Sequence, residues 1–463
     1  MEQPRNDRLL MVSYYYPPAG GPGLPGAQRA VKFVRYLKNH TVSVLTVAAE
    51  EYPPSVTCNF DRALPVRDEQ IYRTRCYDLF ELLLKTRVWL RSLSPGGAAA
   101  GAAPAPPAAP AAAGSGERGR RSLAQWLKDL AYDLCYSPDG ASGWILPAFL
   151  CGCRIARKER PRAIFASGMP WSALVIAWLL HLATRIPFVA DFRDPWIGNP
   201  FHASKGRALD ALGRWLERRV VSSAALVSAN TDQLRDEFLQ RYPELDPAKF
   251  VVLGNGFDPD DFAQLSSPGQ PEEFRQRLVM AHAGQFYGRR DPAPVLAAVE
   301  LLVQQGRCRA DDFLFLQMGA VQLPYDFKER YGRLIELGVL QDLGQLPFQK
   351  CLNELLKADL LLLIQPGTKT QVPSKLYDYL CLERSILTIS PLDGALGTLV
   401  AAHGFGEVFE SSDLAGIAAR LEELLARKRA LGQLPCRYSQ RERFNIERIA
   451  SALDGHLARL GTP

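Results

Sequence analysis

Residues 359–384 constrain the fold of this chain more than any other stretch. Leu360 to Ile364 form an unbroken apolar run, the pattern of a strand buried on both faces of a parallel sheet. Pro366 and Gly367 stop it and a polar loop follows. Pro373 and Ser374 then open a helix, because proline suits the first helical turn and serine can cap it. Strand, loop and helix start together aim backbone N–H groups at an anion beyond the carboxyl edge of a sheet. Lys375 and Asp378 lie three apart and share one face of that first turn. A cation beside a carboxylate suits a ligand with both phosphate and vicinal hydroxyls, as in a nucleotide sugar. The alternative is a surface helix with an incidental ion pair.

The chain has 463 residues, too many for one ordinary core, so two domains are expected. Net charge is +6 and uneven: residues 1–200 hold 24 basic against 16 acidic side chains, and the remainder is slightly acidic. A basic first half favours an anionic partner such as a lipid surface or a phosphorylated acceptor. No zinc-finger or RNA-recognition motif accompanies it, so nucleic acid is not expected as a partner. The most apolar segment, 173–183, is too short to span a bilayer and Arg185 follows it. The nine cysteines are scattered behind a polar N-terminus without a secretory leader, which predicts reduced thiols in a cytoplasmic protein. Cys151 and Cys153 have no second pair at ligand spacing, so no metal is expected.

The chain begins as a βαβ unit, with strands at 9–15 and 42–47 and a helix at 27–38. Gly21, Gly23 and Gly26 match the dinucleotide fingerprint, with Glu50 and Glu51 beyond. That motif should leave its strand directly, whereas Tyr16 to Gly20 intervene here and Pro22 and Pro25 sit inside it. A longer glycine-rich loop, with Gln28 and Arg29 at the helix start, better fits approach to a sugar or phosphate. Residues 71–93 are amphipathic and basic, suited either to the plane of an anionic membrane or to packing on their own domain. Residues 95–120 are an Ala/Pro-rich insert expected to be disordered. A helix at 123–134 and further strands resume after it.

The strand at 187–190 runs into Asp191-Phe192-Arg193-Asp194-Pro195-Trp196. Charges at the end of a buried strand are costly unless paired or placed at a cleft edge. Either Arg193 pairs with Asp191 or Asp194, or these residues face a reaction. Asp258-Pro259-Asp260 could hint at a metal but reads better as a helix cap. A polar linker near 266 precedes a second βαβ series. It has strands at 278–281, 313–317 and 385–389, helices at 294–304, 327–338, 349–357 and 414–427, and a closing amphipathic helix at 440–460.

Gly-Gly-Pro-Gly near the start, Asp191 to Trp196, Gly254-Asn-Gly-Phe-Asp258, Gly284-Gln-Phe-Tyr287 and Pro373-Ser-Lys-Leu-Tyr-Asp-Tyr379 fall in one order. That order resembles the GT-B glycosyltransferases, in particular bacterial family 4 enzymes of surface-polysaccharide biosynthesis, over nearly the whole chain except the insert. The resemblance implies an α/β, GT-B architecture of two Rossmann-like domains facing across a cleft. Residues 1–265 would form the acceptor domain and 278–435 the nucleotide-sugar domain. Residues 440–463 would form a helix packing back toward the first. It implies a transferase that is retaining and metal-independent. The nucleotide sugar enters as substrate rather than cofactor, and the acceptor is lipid-linked or a glycan, with peripheral membrane contact at the inner face.

By the same resemblance, Gly284 lets the backbone approach the diphosphate, beside Tyr287. Arg290 with Arg289, and then Lys375, contact the phosphates, while Asp378 binds the ribose hydroxyls and Gly344 to Leu346 line the base. Gly21, Gly23 and Arg29 would face the transferred sugar or acceptor. Two departures stand out. Of the family's two glutamates eight apart, Thr370 stands for the first and Asp378 for the second. The histidine after the middle strand of the first domain is replaced by Asp191 to Asp194. Asp191, Arg193 and Asp194 are therefore the catalytic candidates, with one of the two aspartates orienting the acceptor hydroxyl. A degenerate GT-B scaffold and a nucleotide-sugar 2-epimerase are the alternative functions on this fold.

Overall fold

The computed structural model describes residues 7–20, 25–53, 56, 58, 65–92, 123–200, 204–263, 265 and 270–460. Gly21, Gly23 and the Ala/Pro-rich insert lie outside them.

The first seven strands are β1 (Asp7–Val12), β2 (His40–Val47), β3 (Gln70–Thr74), β4 (Ala163–Gly168), β5 (Phe188–Phe192), β6 (Leu226–Ala229) and β7 (Phe250–Val252). They form one parallel sheet in the order β3-β2-β1-β4-β5-β6-β7. The central strands β4, β5 and β6 are buried throughout, so they show no alternation of buried and exposed positions, whereas the edge strand β3 is only half-buried. On one face, Leu10, Val12, Leu45 and Val47 pack under helices Ile145–Glu159, Ser172–Thr184, Arg207–Ser223 and Asp232–Arg241. On the other face, Leu9, Met11, Val42 and Val44 meet helix Pro25–Tyr36 and the closing helix Ile446–Leu460.

The remaining strands are β8 (Leu278–Ala283), β9 (Phe286–Tyr287), β10 (Phe313–Met318), β11 (Val321–Gln322), β12 (Leu340–Asp342), β13 (Leu360–Ile364), β14 (Ser385–Ile389) and β15 (Glu407–Phe409). Six of them form a second parallel sheet in the order β12-β10-β8-β13-β14-β15, and β9 pairs with β11 beside it. The architecture is two Rossmann-like lobes. Each sheet reverses its strand order once, between β1 and β4 and between β8 and β13. Loops leaving the strands diverge there and open a crevice for a ligand.

The closing helix belongs to the first lobe by its contacts. Ile446, Ala450, Leu453 and Leu457 sit in the core of that lobe. Asp454 Oδ1 lies 2.7 Å from His40 Nδ1, and its Oδ2 accepts from the Asn39 backbone and side chain at 3.3 Å.

Three local readings are corrected. The helix expected at 327–338 is two short ones, Phe327–Arg330 and Gly332–Glu336. Burying Tyr331 against Phe327, ring centroids 5.1 Å apart, wins over continuous helix beside a glycine. The closing helix is interrupted after the turn Arg441–Phe444, because Asn445 Oδ1 accepts from the Glu447 N–H at 3.0 Å and so caps a new start. Residues 71–93 are not one element but β3 followed by helix Leu79–Ser92.

Candidate functional site

Backbone without side chains forms the carboxyl edge of the second sheet. Gly284 follows β8 and Gly319 follows β10, with φ of +132° and +144°, values that L-residues avoid. Gly284 N–H donates to Met318 O at 2.6 Å, and Gly319 N–H donates to Gly344 O at 2.8 Å, so the three glycines sit side by side. A Cβ on Gly319 would lie 2.3 Å from Gly284 O. Beneath them, Gln317 donates from Nε2 to Gly284 O at 2.8 Å, while its Oε1 lies 2.9 Å from His282 Nδ1. Burial, reinforced by Lys375 and Arg290, holds His282 well below the usual histidine range. The neutral ring, stacked on Phe286 at 4.5 Å, fixes the amide that holds the Gly284 turn.

Lys375 lies on this bare edge. A Cβ on Gly284 would stand 1.8 Å from its Nζ. Burial, followed by the nearby Arg290, lowers the Lys375 ammonium from its ordinary value to about 7. Arg290 donates from NH2 to Gln365 Oε1 at 2.5 Å and lies 5.1 Å over the Tyr287 ring. Arg289 is exposed and packs across Gly367 instead. The structure therefore brings Gly284, Tyr287, Arg290, Gly344 and Lys375 together, with Arg289 at the rim. Ser374 precedes the helix Lys375–Leu382, yet its side chain makes no capping bond because its backbone is already helical. Asp378, on the inner turn of the same helix, is raised to about 6 by burial, against the pull of Lys32 and Lys375 and with the push of Asp261.

Two identical charges in a partly dry crevice oppose one another, and an arriving diphosphate relieves that opposition. Gly284→Ala should accordingly weaken donor binding about tenfold or more, because the new methyl displaces the Lys375 ammonium and one charge-assisted bond is lost. Titration calorimetry with a nucleotide sugar measures it, and unchanged affinity in a folded variant would contradict the geometry.

The loop between β13 and helix Lys375–Leu382 crosses to the first lobe. Thr231 Oγ1 donates to Thr370 O at 2.7 Å, and Gln371 Nε2 donates to Asp194 Oδ1 at 2.6 Å. The position at which the family carries its first glutamate is thus a contact between lobes. Gln317, Gly319, Gln365, Gln371 and Lys32 were not anticipated from sequence. The usable signal was a polar residue or glycine directly after a buried apolar strand, as in Gln365 and Gly319.

On the first lobe, Asp191 is corrected from a catalytic candidate and Arg29 from a sugar contact. Arg29 donates to Asp191 from Nε at 2.9 Å and from NH2 at 2.8 Å, and Ser167 and Ser228 hydroxyls complete the carboxylate. The other Arg29 donors go to Leu253 O, Gly254 O and Asn255 Oδ1. Both side chains are buried, and Arg29 with the two serines, against the opposing effect of burial, holds the Asp191 carboxyl below the usual carboxylate range. Every polar atom of the pair is committed to tying helix Pro25–Tyr36 to β5 and to the loop after β7, with Ser167 of β4 and Ser228 of β6. Arg193 donates to Gly168 O at 3.1 Å and Met169 O at 2.5 Å and lies over Gly26, where a Cβ would meet its guanidinium at 2.8 Å. Burial lowers Arg193, and Asp194 opposes that. Asp258 does cap the turn Pro259–Asp261, accepting from Asp260 N–H at 3.1 Å and also from Tyr36 and Arg35. Among the described residues, no cluster of three His, Cys, Asp or Glu could hold a metal.

Residues 26–256 match the family of the glycosyl transferase 4-like domain. No curated protein matches the chain in sequence. Among solved structures, HepE from Anabaena, in complex with UDP and glucose, is similar over 98% of this chain and 100% of its own, with a TM-score of 0.55 at 14% identity. Sucrose-phosphate synthase from Thermosynechococcus elongatus is similar over 98% of each chain, with a TM-score of 0.56 at 15% identity. The lipopolysaccharide outer core galactosyltransferase WaaB is similar over 98% of this chain and 99% of its own, with a TM-score of 0.52 at 9% identity. At such identities the likeness speaks for the fold alone, and the activity comes from the family match. The chain belongs to the family 4-like glycosyltransferases of GT-B fold.

Proposed function

We propose that this protein moves a sugar from a nucleotide-diphosphate donor to a lipid-linked or polysaccharide acceptor, with retention and without a metal. The observation that carries the reading is the placement of Lys375 against the bare backbone of Gly284, with Arg290 close beside it. Breaking the sugar–phosphate bond builds negative charge on the leaving diphosphate and positive charge on the sugar. Prepositioned cations stabilise the former, which is usually the largest catalytic contribution. Lys375 and Arg290 would take that role, at the positive end of the helix Lys375–Leu382 dipole. Asp378 would accept from the ribose hydroxyls. Gly344 would border the base. Arg193 and Asp194 would line the acceptor side of the cleft, Arg193 by holding the Gly168–Met169 loop in place. HepE, similar in fold, binds UDP-glucose, which supports a nucleotide-sugar donor here. Retention and the polysaccharide role are supported by the resemblance to bacterial family 4 enzymes.

Thermal-shift screening against UDP-, GDP-, ADP- and dTDP-sugars tests the reading, since a ligand of the folded state stabilises it by mass action. One donor series should raise the melting temperature, and no response to any would sink it.

A pH dependence follows. The Lys375 cation is present below about 7 and lost as pH rises through that value. The Asp378 carboxylate is present above about 6 and lost as pH falls through it. The donor's diphosphate stays ionised throughout, so donor affinity should peak between the two values. Binding above the peak should take up a proton, because the phosphates raise the Lys375 pKa again. Calorimetry in buffers of different ionisation heat reads that proton directly, and an affinity flat across this range would contradict both assignments.

A further inference from the structure

We infer that the helical layer on one face of the N-terminal sheet is a docking surface for an anionic lipid bilayer. This deepens the proposed lipid-linked acceptor and rests on it for its purpose, though not for its chemistry. Helices Ile145–Glu159, Ser172–Thr184 and Arg207–Ser223 lie side by side. A Cβ on Gly152 would stand 2.7 Å from Leu180, and Trp178 meets Trp215 edge to face at 5.9 Å. Their inner sides fill the core.

Their outer sides are unlike an ordinary surface. Leu146 is 64% exposed, Leu150 48%, Leu182 47% and Trp215 46%. Leu146 and Leu150 continue, turn by turn, into exposed Arg154, Arg157 and Lys158, while exposed Arg214 and Arg219 flank Trp215. The Arg219 guanidinium lies 5.5 Å from that ring.

The acids of these helices are withdrawn. Glu159 is buried against Ser43 and Tyr72, and Glu217 against Tyr242 and Arg241. Asp210 is held by Ser204 and Lys205 N–H. Among the described residues the five cations named pair with no carboxylate, whereas Arg218 between them pairs with Glu244 at 3.0 Å. The outward charge of the three helices is therefore basic, and two of them lie within residues 1–200, which carry the basic excess.

Basic side chains interleaved with exposed leucine and tryptophan fit a bilayer, where the cations meet anionic headgroups and the apolar tips enter the acyl boundary. A nucleic acid would use the cations but leave the leucines in water. Helix Leu79–Ser92, the amphipathic candidate from sequence, also exposes Leu82 and Leu83 but has Glu81 paired with Lys85 on its surface.

Sedimentation of the full chain with vesicles tests the inference, without donor present. Binding is expected to phosphatidylcholine vesicles containing phosphatidylglycerol and not to phosphatidylcholine alone. The combined variant R154Q/R157Q/K158Q should bind about a hundredfold more weakly, at roughly fivefold per side chain. Trp215→Ser should also weaken it, and both variants should keep the wild-type thermal shift with donor. Equal binding to neutral vesicles, wild-type binding by the triple variant, or stronger capture of duplex DNA lost in the same variant would each overturn the inference. Absence of lipid binding beside a normal donor response would overturn this inference alone. Lipid binding without any donor response would instead overturn the transferase reading.

Discussion

Asp191→Ala is expected to destabilise the protein by about 3–5 kcal/mol, because it leaves the Arg29 guanidinium buried and uncompensated. The carboxylate accepts two bonds from Arg29 and one each from Ser167 and Ser228. Arg29 in turn ties the end of β7 through Leu253 O and Gly254 O. One deletion therefore removes the acceptor of four hydrogen bonds from three side chains and loosens the junction of β5, helix Pro25–Tyr36 and the loop after β7. Chemical denaturation of the first-lobe transition measures the loss. A drop below about 1 kcal/mol, with transfer abolished in a stable fold, would return Asp191 to the chemistry.

Arg290→Gln and Lys375→Met should each weaken nucleotide-sugar binding roughly ten- to a hundredfold, from about 1.5–3 kcal/mol for a charge-assisted bond. The two charges share one ligand, so the double variant should lose less than the sum of the single losses. Stability should move the other way at position 375. The lysine is held with its charge disfavoured by burial and by Arg290, so an apolar side chain of similar length removes an uncompensated cost. Lys375→Met should thus melt no lower than wild type while binding donor poorly, a combination that a merely structural lysine would not produce.

Much of this frame was legible in sequence for one physical reason: strands buried on both faces cannot alternate. Leu360–Ile364 and Ser385–Ile389 are strands over the residues anticipated. The organisation of the second lobe around β13, its loop and Lys375 followed from glycine, proline and charge directly after an apolar run. Helices Ile145–Glu159 and Arg207–Ser223 escaped notice. The first carries a proline and a glycine inside it, and the second is dominated by arginine on the side away from the core. The Arg29–Asp191 pair could not be read, since its members are 162 residues apart and local spacing carries no trace of such a contact. The charges of Asp191 to Asp194 were visible, but which was buried and which met the other lobe depended on Gly26, Gln371 and the two serines arriving from elsewhere.

The most direct measurement compares, by titration calorimetry, a nucleotide sugar with its parent nucleoside on wild type and on the Arg290→Gln/Lys375→Met double variant. If the rear lobe holds the diphosphate through these two side chains, wild type should prefer the nucleotide sugar by at least about a hundredfold. The double variant should lose most of that preference while binding the nucleoside as before. A preference undiminished in a folded double variant would contradict the account.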